Sequence, residues 1–337
     1  MFHFSLTSAF VVLGIGFLFL GFGAEFLVKG AAALAKRLGV STLLIGLTII
    51  AMGTSLPEMV TAIIAALHGS PNIAVGSSVG SNIVNITLLL GITAVLMPLT
   101  VHPKMFKQDM PILVLVMVVV GMFLWDGYMS RADGVLLLMA AVAYVLMLVW
   151  QSRDKKTKKD KKLLTQEYEQ EIDKKMSLKL AIFFLVLGLI ILPISSEGVI
   201  QSSIFIAKYY HISDLVIGLT IVAFGTSLAE FATCLIAARR KEYDIVIGNI
   251  IGSNILNLLV VLALAAVITP FHVMAHAFSR DWSWMLFVTL AFYFITYGRK
   301  GSKNITRFKG AVLIMIYLVY LGYLYISESG IQLFHFH

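Results

Sequence analysis

The sequence predicts an all-α polytopic membrane protein of ten transmembrane helices, built as two inverted five-helix repeats. Three observations predict it: an excess of apolar residues, an ungapped internal duplication, and an odd number of spans between the two copies. Of 337 residues, 59% are hydrophobic and only 13% charged, with a mean hydropathy of +0.92. A soluble core cannot bury that much apolar surface, so lipid must take the remainder. A helix crossing a hydrocarbon layer of about 30 Å needs roughly 20 apolar residues. Ten such runs occur, near 7–34, 41–67, 72–97, 110–127, 132–151, 178–207, 213–238, 245–268, 282–298 and 308–327.

No Lys or Arg precedes the first run, and further spans follow it at once, so it reads as a membrane helix rather than a cleaved signal. The net charge of +8 is sorted by topology. With the N-terminus outside, 22 of the 26 basic residues fall on the inward side, among them Lys36, Arg37, Lys104, Lys107, Arg239, Arg240, Lys241 and the cluster from Arg299 to Lys309. That bias marks the cytoplasmic face and speaks against nucleic acid as a partner. The expectation is a multi-pass protein of the cell (inner) membrane with both termini extracytoplasmic. Residues 152–177 are the one extended polar stretch; they read as a cytoplasmic topogenic linker between a first unit, 1–151, and a second, 178–337. Binding of anionic lipid is the other reading of its basic residues. Cys234 is the only cysteine, so no internal disulfide forms, and all eight His lie in loops or termini.

The duplication is direct. STLLIGLTIIAMGTSLPEMVTAIIAA at 41–66 matches SDLVIGLTIVAFGTSLAEFATCLIAA at 213–238, GSSVGSNIVN at 76–85 matches GNIIGSNILN at 248–257, and Pro98 matches Pro270. Every pair is 172 positions apart, and about half the positions from 41 to 98 are identical without a gap. Five spans separate the copies, so they run in opposite directions. Inverted repeats of this kind mark secondary transporters, whose substrate site lies near the midplane where the copies meet.

Four carboxylates lie within apolar spans: Glu25, Glu58, Glu197 and Glu230, which form two repeat-related pairs. A charge at the bilayer centre costs at least about 2.5 kcal/mol on insertion scales, so an intramembrane acid is a functional candidate by default. Glu58 and Glu230 stand about midway along their spans and bring four oxygens to the midplane from opposite copies. Ca2+ takes six to eight oxygen ligands, carboxylates and carbonyls foremost. In GTSLPE, Pro57 lacks an N–H and leaves the Gly53 carbonyl without its helical partner, so the helix should break there. Thr54, Ser55, Thr226 and Ser227 add hydroxyls. Ser81 and Asn85, like Ser253 and Asn257, are spaced i and i+4 and share a helix face. Gly76 and Gly80, with Gly248 and Gly252, have the small-xxx-small spacing of close helix packing. Packing is the ordinary use of such residues; the glutamates and the duplication tip the balance to a cation site. Glu25 reads first as a structural residue that Lys29, one turn on, can neutralise as an i, i+4 pair, whereas Glu197 has Gln201 there; the other reading of both is as accessory or gating groups rather than ligands. Ala229 stands where the second copy should have proline, so the seventh helix is expected to be less fully broken than the second.

These residues resemble the two alpha-repeats of the sodium/calcium exchanger branch of the calcium/cation antiporter superfamily, in its compact prokaryotic form, over nearly the whole chain. The resemblance implies a secondary antiporter exchanging Ca2+ for Na+ by alternating access, with the first and sixth helices sliding across a core formed by the others. It implies that Glu58 and Glu230 are shared ligands, with the Thr54 and Thr226 carbonyls for Ca2+. It assigns Ser55, Ser227, Ser81, Ser253 and the carbonyls of Ala51 and Ala223 to Na+, with Asn85 and Asn257 at the site centre. Asn257 replaces an acid found in several sodium/calcium exchangers, which leaves Ca2+/H+ antiport through the same glutamates as the alternative. The GNAxE signature of proton/calcium exchangers is absent. No resident cofactor and no obligatory protein partner are implied; the ions are cargo. An intramembrane metalloenzyme would lack a DDxxD cluster, an intramembrane His and a Ser/Lys dyad, and would leave the inverted repeat unexplained; a passive channel would carry ions with no obligatory counterflow.

Overall fold

The computed structural model describes residues 5–101, 105–154, 176–210, 223–274, 277–296 and 304–334. The central linker and the start of the seventh apolar run therefore lie outside the described residues. The chain forms α1 (Leu6–Leu38), α2 (Thr42–Thr54), α3 (Leu56–Leu67), α4 (Asn72–Leu96), β1 (Leu99–Thr100), α5 (Met110–Leu124), β2 (Tyr128–Met129), α6 (Arg131–Asp154) and α7 (Leu178–Tyr209). It continues with α8 (Ala223–Gly225), α9 (Leu228–Arg239), α10 (Tyr243–Ile268), β3 (Phe271–His272), α11 (Ser283–Thr296), β4 (Asn304–Ile305) and α12 (Arg307–Phe334). Among the described residues seven helices are long and apolar enough to cross a membrane, and α2 with α3, bent by 42° at their junction, makes an eighth span.

Burial follows the apolar pattern. Helices α4 and α10 are the most enclosed of the spans and bury Ser and Asn side chains along with apolar ones. They form the centre. α1 has 33 residues and is about 50 Å long at 1.5 Å per residue, well beyond the hydrocarbon thickness, so it crosses at a tilt. Its repeat mate α7, with 32 residues, lies against it. The two approach backbone to backbone: a Cβ on Gly30 would stand 2.5 Å from the Leu185 nitrogen, and one on Gly188 2.6 Å from that of Leu27.

Two short antiparallel pairings show the inversion directly. β1 pairs with β4, and β2 with β3. β1 and β3 are repeat mates, so the same clasp recurs at opposite ends of the molecule. One end, here called the basic side, carries Lys36, Arg37, Arg239, Arg240 and Lys241, and there Arg37 donates to the Met176 carbonyl at 2.6 Å. On the other side Asn72 bonds the His272 carbonyl at 2.9 Å, and Thr269 the Ala66 carbonyl at 3.0 Å.

Candidate cation site

The break after Thr54 puts Glu58 in the first turn of α3, and the break after Thr226 puts Glu230 in the first turn of α9. A helix N-terminus presents unbonded N–H groups and a partial positive charge, so both carboxylates stand where a fixed dipole favours them. Both are 0% exposed. The break in the second copy falls at the same register as the first: Ser55 adopts φ −86°, ψ 7° and Ser227 φ −92°, ψ 13°. The expectation that Ala229 leaves this helix less broken does not hold there. Ser196 of α7 donates to the Gly225 carbonyl at 3.0 Å, giving it a partner that needs no proline to create the vacancy.

The copies exchange side chains across the centre. Ser55 Oγ of the first copy donates to Glu230 Oε1 of the second at 3.1 Å, while Ser81 Oγ donates within its own copy to Glu58 Oε1 at 3.4 Å. Between α4 and α10 four asparagines form a nearly two-fold network. Asn82 Nδ2 donates to the Asn254 carbonyl at 3.1 Å and Asn254 Nδ2 to that of Asn82 at 3.4 Å. Asn85 Nδ2 donates to Asn254 Oδ1 at 3.1 Å and Asn257 Nδ2 to Asn82 Oδ1 at 3.2 Å. Each outer amide thus spends its nitrogen on the neighbouring copy. Its oxygen is left over.

Six buried oxygens among the candidate residues have no hydrogen-bond partner among the described residues: Glu58 Oε2, Glu230 Oε2, Asn85 Oδ1, Asn257 Oδ1, Ser227 Oγ and Ser253 Oγ. Unpaired buried acceptors are rare and costly, about 1–3 kcal/mol each and more for a charge. Six on the two copies of one motif form a set of oxygen donors suited to a hard cation. π-helical turns begin at Asn85 and at Asn257, the kind of irregularity that recurs at functional sites.

The other candidates are placed less symmetrically. Thr54 is buried and donates to Asn249 Oδ1 at 2.9 Å, whereas Thr226 is half-buried. The Ala51 carbonyl accepts the Ser55 N–H at 3.0 Å, and Ala223 opens α8. A Cβ on Gly248 would lie 2.8 Å from the Leu43 carbonyl oxygen and one on Gly252 2.7 Å from that of Leu47, so these glycines seat α10 on α2. The corresponding partners of Gly76 and Gly80, at 215–219, lie outside the described residues. Sequence reasoning missed Asn82 and Asn254, although both sit inside the GSN motif, and it missed Asn249, whose repeat mate is Ser77. It also missed the hydrogen-bonded partner of Glu25. Glu25 is paired with Arg240 at the end of α9, 215 residues away, while Lys29 Nζ lies 5.3 Å from the ring centroid of Phe184.

The two sides of the site differ. Opposite the basic side a cavity of about 1180 Å³ runs between α1, α3 and α7, from His68 and Ser70 down to Leu56 and Pro57 beside Glu58. On the basic side α1 closes over α9: Leu228 is 5% exposed where its mate Leu56 is 38% exposed, and Thr233 is fully buried where Thr61 lines the cavity. Among the described residues the cavity opens on the side opposite the basic one.

An inverted-repeat membrane fold with a buried, doubly acidic oxygen site at the meeting point of its copies defines a secondary cation transporter. The family described as sodium/calcium exchanger protein matches residues 8–150 and 180–326, and the chain belongs to that family of cation antiporters; it is a transporter and not an enzyme. It is 40% identical over 270 residues to the inner membrane protein YrbG of Escherichia coli (strain K12), covering 80% of this chain and 82% of that one. It is 32% identical over 301 residues to the sodium/calcium exchanger MaX1 of Methanosarcina acetivorans, covering 80% and 85%. Solved structures of the sodium-calcium exchanger NCX_Mj, soaked with Na+ and Sr2+, superpose with a TM-score of 0.79 at 29% identity, over 94% of this chain and 99% of theirs. That match carries the ten-helix architecture to this chain.

Proposed function

We propose that this antiporter exchanges Ca2+ for Na+ across the cell membrane by alternating access, with the basic side in the cytoplasm and both termini outside. Glu58 and Glu230 bind either ion. The Thr54 and Thr226 carbonyls complete the Ca2+ site, and Ser55, Ser81, Ser227, Ser253 and the carbonyls of Ala51 and Ala223 serve Na+. Asn85 and Asn257 turn their amide oxygens to its centre. The observation that carries this reading is the set of six unpartnered buried oxygens. A Ca2+ ion wants six to eight such ligands about 2.3–2.6 Å away.

Coupling follows from charge. Two buried carboxylates without counter-charge are expensive, several kcal/mol per ion even after relaxation. An empty site therefore resists crossing, whereas one Ca2+ or several Na+ neutralise it. Only loaded states reorient, which gives exchange rather than leak. The sodium-calcium naming of MaX1 and NCX_Mj favours Na+ as the counter-ion.

The test is calcium uptake by proteoliposomes under an imposed Na+ gradient or an imposed pH gradient. Uptake driven by outward Na+ and indifferent to pH supports the reading. Uptake driven by the pH gradient alone assigns the same glutamates to Ca2+/H+ antiport. Uptake that needs no exchangeable ion refutes both.

A further inference from the structure

The ion pair on the basic side has a repeat mate that is not engaged. Glu25 on α1 and Arg240 at the end of α9 are bonded across the closed side. Shifted by the repeat of 172 positions, they become Glu197 on α7 and His68 at the end of α3. These two face the same cavity on the open side. Each is held by its own helix: Gln201 donates to Glu197 Oε1 at 2.8 Å, and His68 Nδ1 lies 2.8 Å from the Ile64 carbonyl. Among the described residues lining that cavity they are the two ionisable groups.

The geometry points to a pair of alternating latches: Glu25–Arg240 fastens the basic side while the opposite side is open, and Glu197–His68 fastens the opposite side when the molecule reverses. This rests on the alternating-access reading above. In an inverted repeat the second state is the first with the copies exchanged. When α1 and α7 slide, α7 takes against α3 the place that α1 now holds against α9. Glu197 then comes to His68 as Glu25 comes to Arg240. The ties to Gln201 and Ile64 are local bonds one turn away, so they release without disturbing the fold. Glu25 and Glu197, neither of them enclosed, thereby gain a role outside ion ligation.

The latches are unequal by composition. A guanidinium is always charged and grips a carboxylate with a planar fork, whereas an imidazole offers at most one donor from each ring nitrogen. The open side thus closes on the weaker clasp, which biases the resting molecule toward the state seen here.

Paired reporters test the idea in the full-length chain. With Cys234→Ala as background, Thr61→Cys reports on the open cavity and Thr233→Cys on its closed counterpart, each read by the rate of thiol labelling in nanodiscs. Glu25→Gln should slow labelling at position 61 at least about threefold and speed it at 233 by a like factor, because the two states exchange population. His68→Arg should act in the same direction by strengthening the opposite latch. Both reporters speeding up together would mean a loosened fold, and neither moving would mean the pairs are not latches; either outcome overturns the proposal. Labelling needs no ion flux. Opposed shifts in a protein that fails to exchange Ca2+ for Na+ would leave the latches standing and sink the ion assignment, while sodium-driven exchange with immobile reporters would do the reverse.

Discussion

Helix α3 and helix α9 begin with nearly the same residues, LPEMVTAIIAA and LAEFATCLIAA, and end in different surroundings. α3 turns Leu56, Val60 and Ile64 into an open cavity. α9 has Leu228, Ala229 and Thr233 buried, with α1 packed along it. Sequence cannot account for that difference; the position of the long α1–α7 pair does. One motif in two environments shows that the asymmetry belongs to the conformation and that the site at its centre is nearly two-fold. The asparagine network is the clearest sign, since each copy donates to the other.

If the centre is symmetric in chemistry, Glu58→Gln and Glu230→Gln should be equally damaging. Each should reduce exchange in proteoliposomes by roughly a hundredfold or more, the scale of about 3 kcal/mol lost from a buried ion contact. A variant retaining most of its flux would confine the site to one copy.

The two copies meet backbone to backbone at Gly248, where an added Cβ meets the Leu43 carbonyl and Leu47 nitrogen of α2, at 2.8 and 2.9 Å. Backbone cannot yield as a flexible side chain does. Gly248→Ala should cost about 1–3 kcal/mol in thermal unfolding in detergent. A neutral result would mean that α10 and α2 separate readily.

Asn249 holds Thr54 Oγ1 at 2.9 Å, and its repeat mate is Ser77. Restoring the repeat with Asn249→Ser removes that bond and should destabilise the protein by about 1 kcal/mol. Its effect on ion affinity should be smaller than that of either glutamate change.

The smallest effect concerns the loop between α9 and α10. Burial first, and then the neighbouring Asp244, push the Glu242 carboxyl up to about 7, with Arg240 opposing. A carboxyl raised on folding stabilises the protein while protonated, so its contribution is present below the ordinary carboxylate range and is lost as pH rises through about 7. Glu242→Gln should flatten the fall in melting temperature across that window, and an unchanged slope would show that other groups control it.

Much of this was legible in the sequence because a membrane makes its demands visible. Long apolar runs give the spans, the repeat gives their inversion, and a glutamate inside a span stands out against lipid. The GTSLPE proline announced the α2–α3 break. The same break in the second copy had no such signal, since the Ser196 hydroxyl that bonds the Gly225 carbonyl comes from α7. The partner of Glu25 was missed for a similar reason: Lys29 is its neighbour along the helix, and Arg240 is its neighbour only once α1 has packed on α9. Asn82 and Asn254 lay within a recognised motif, yet their role depends on two helices crossing at one register. Local pattern shows which residues are unusual. Packing decides which of them meet.

The central claim is that the two buried glutamates, one from each copy, share a single cation. Calcium binding to the purified chain, measured by equilibrium dialysis or calorimetry, tests it most directly. The account predicts one Ca2+ per chain, displaced by Na+, with binding lost in Glu58→Gln and equally in Glu230→Gln. Two Ca2+ per chain, or undiminished binding in either variant, would contradict it.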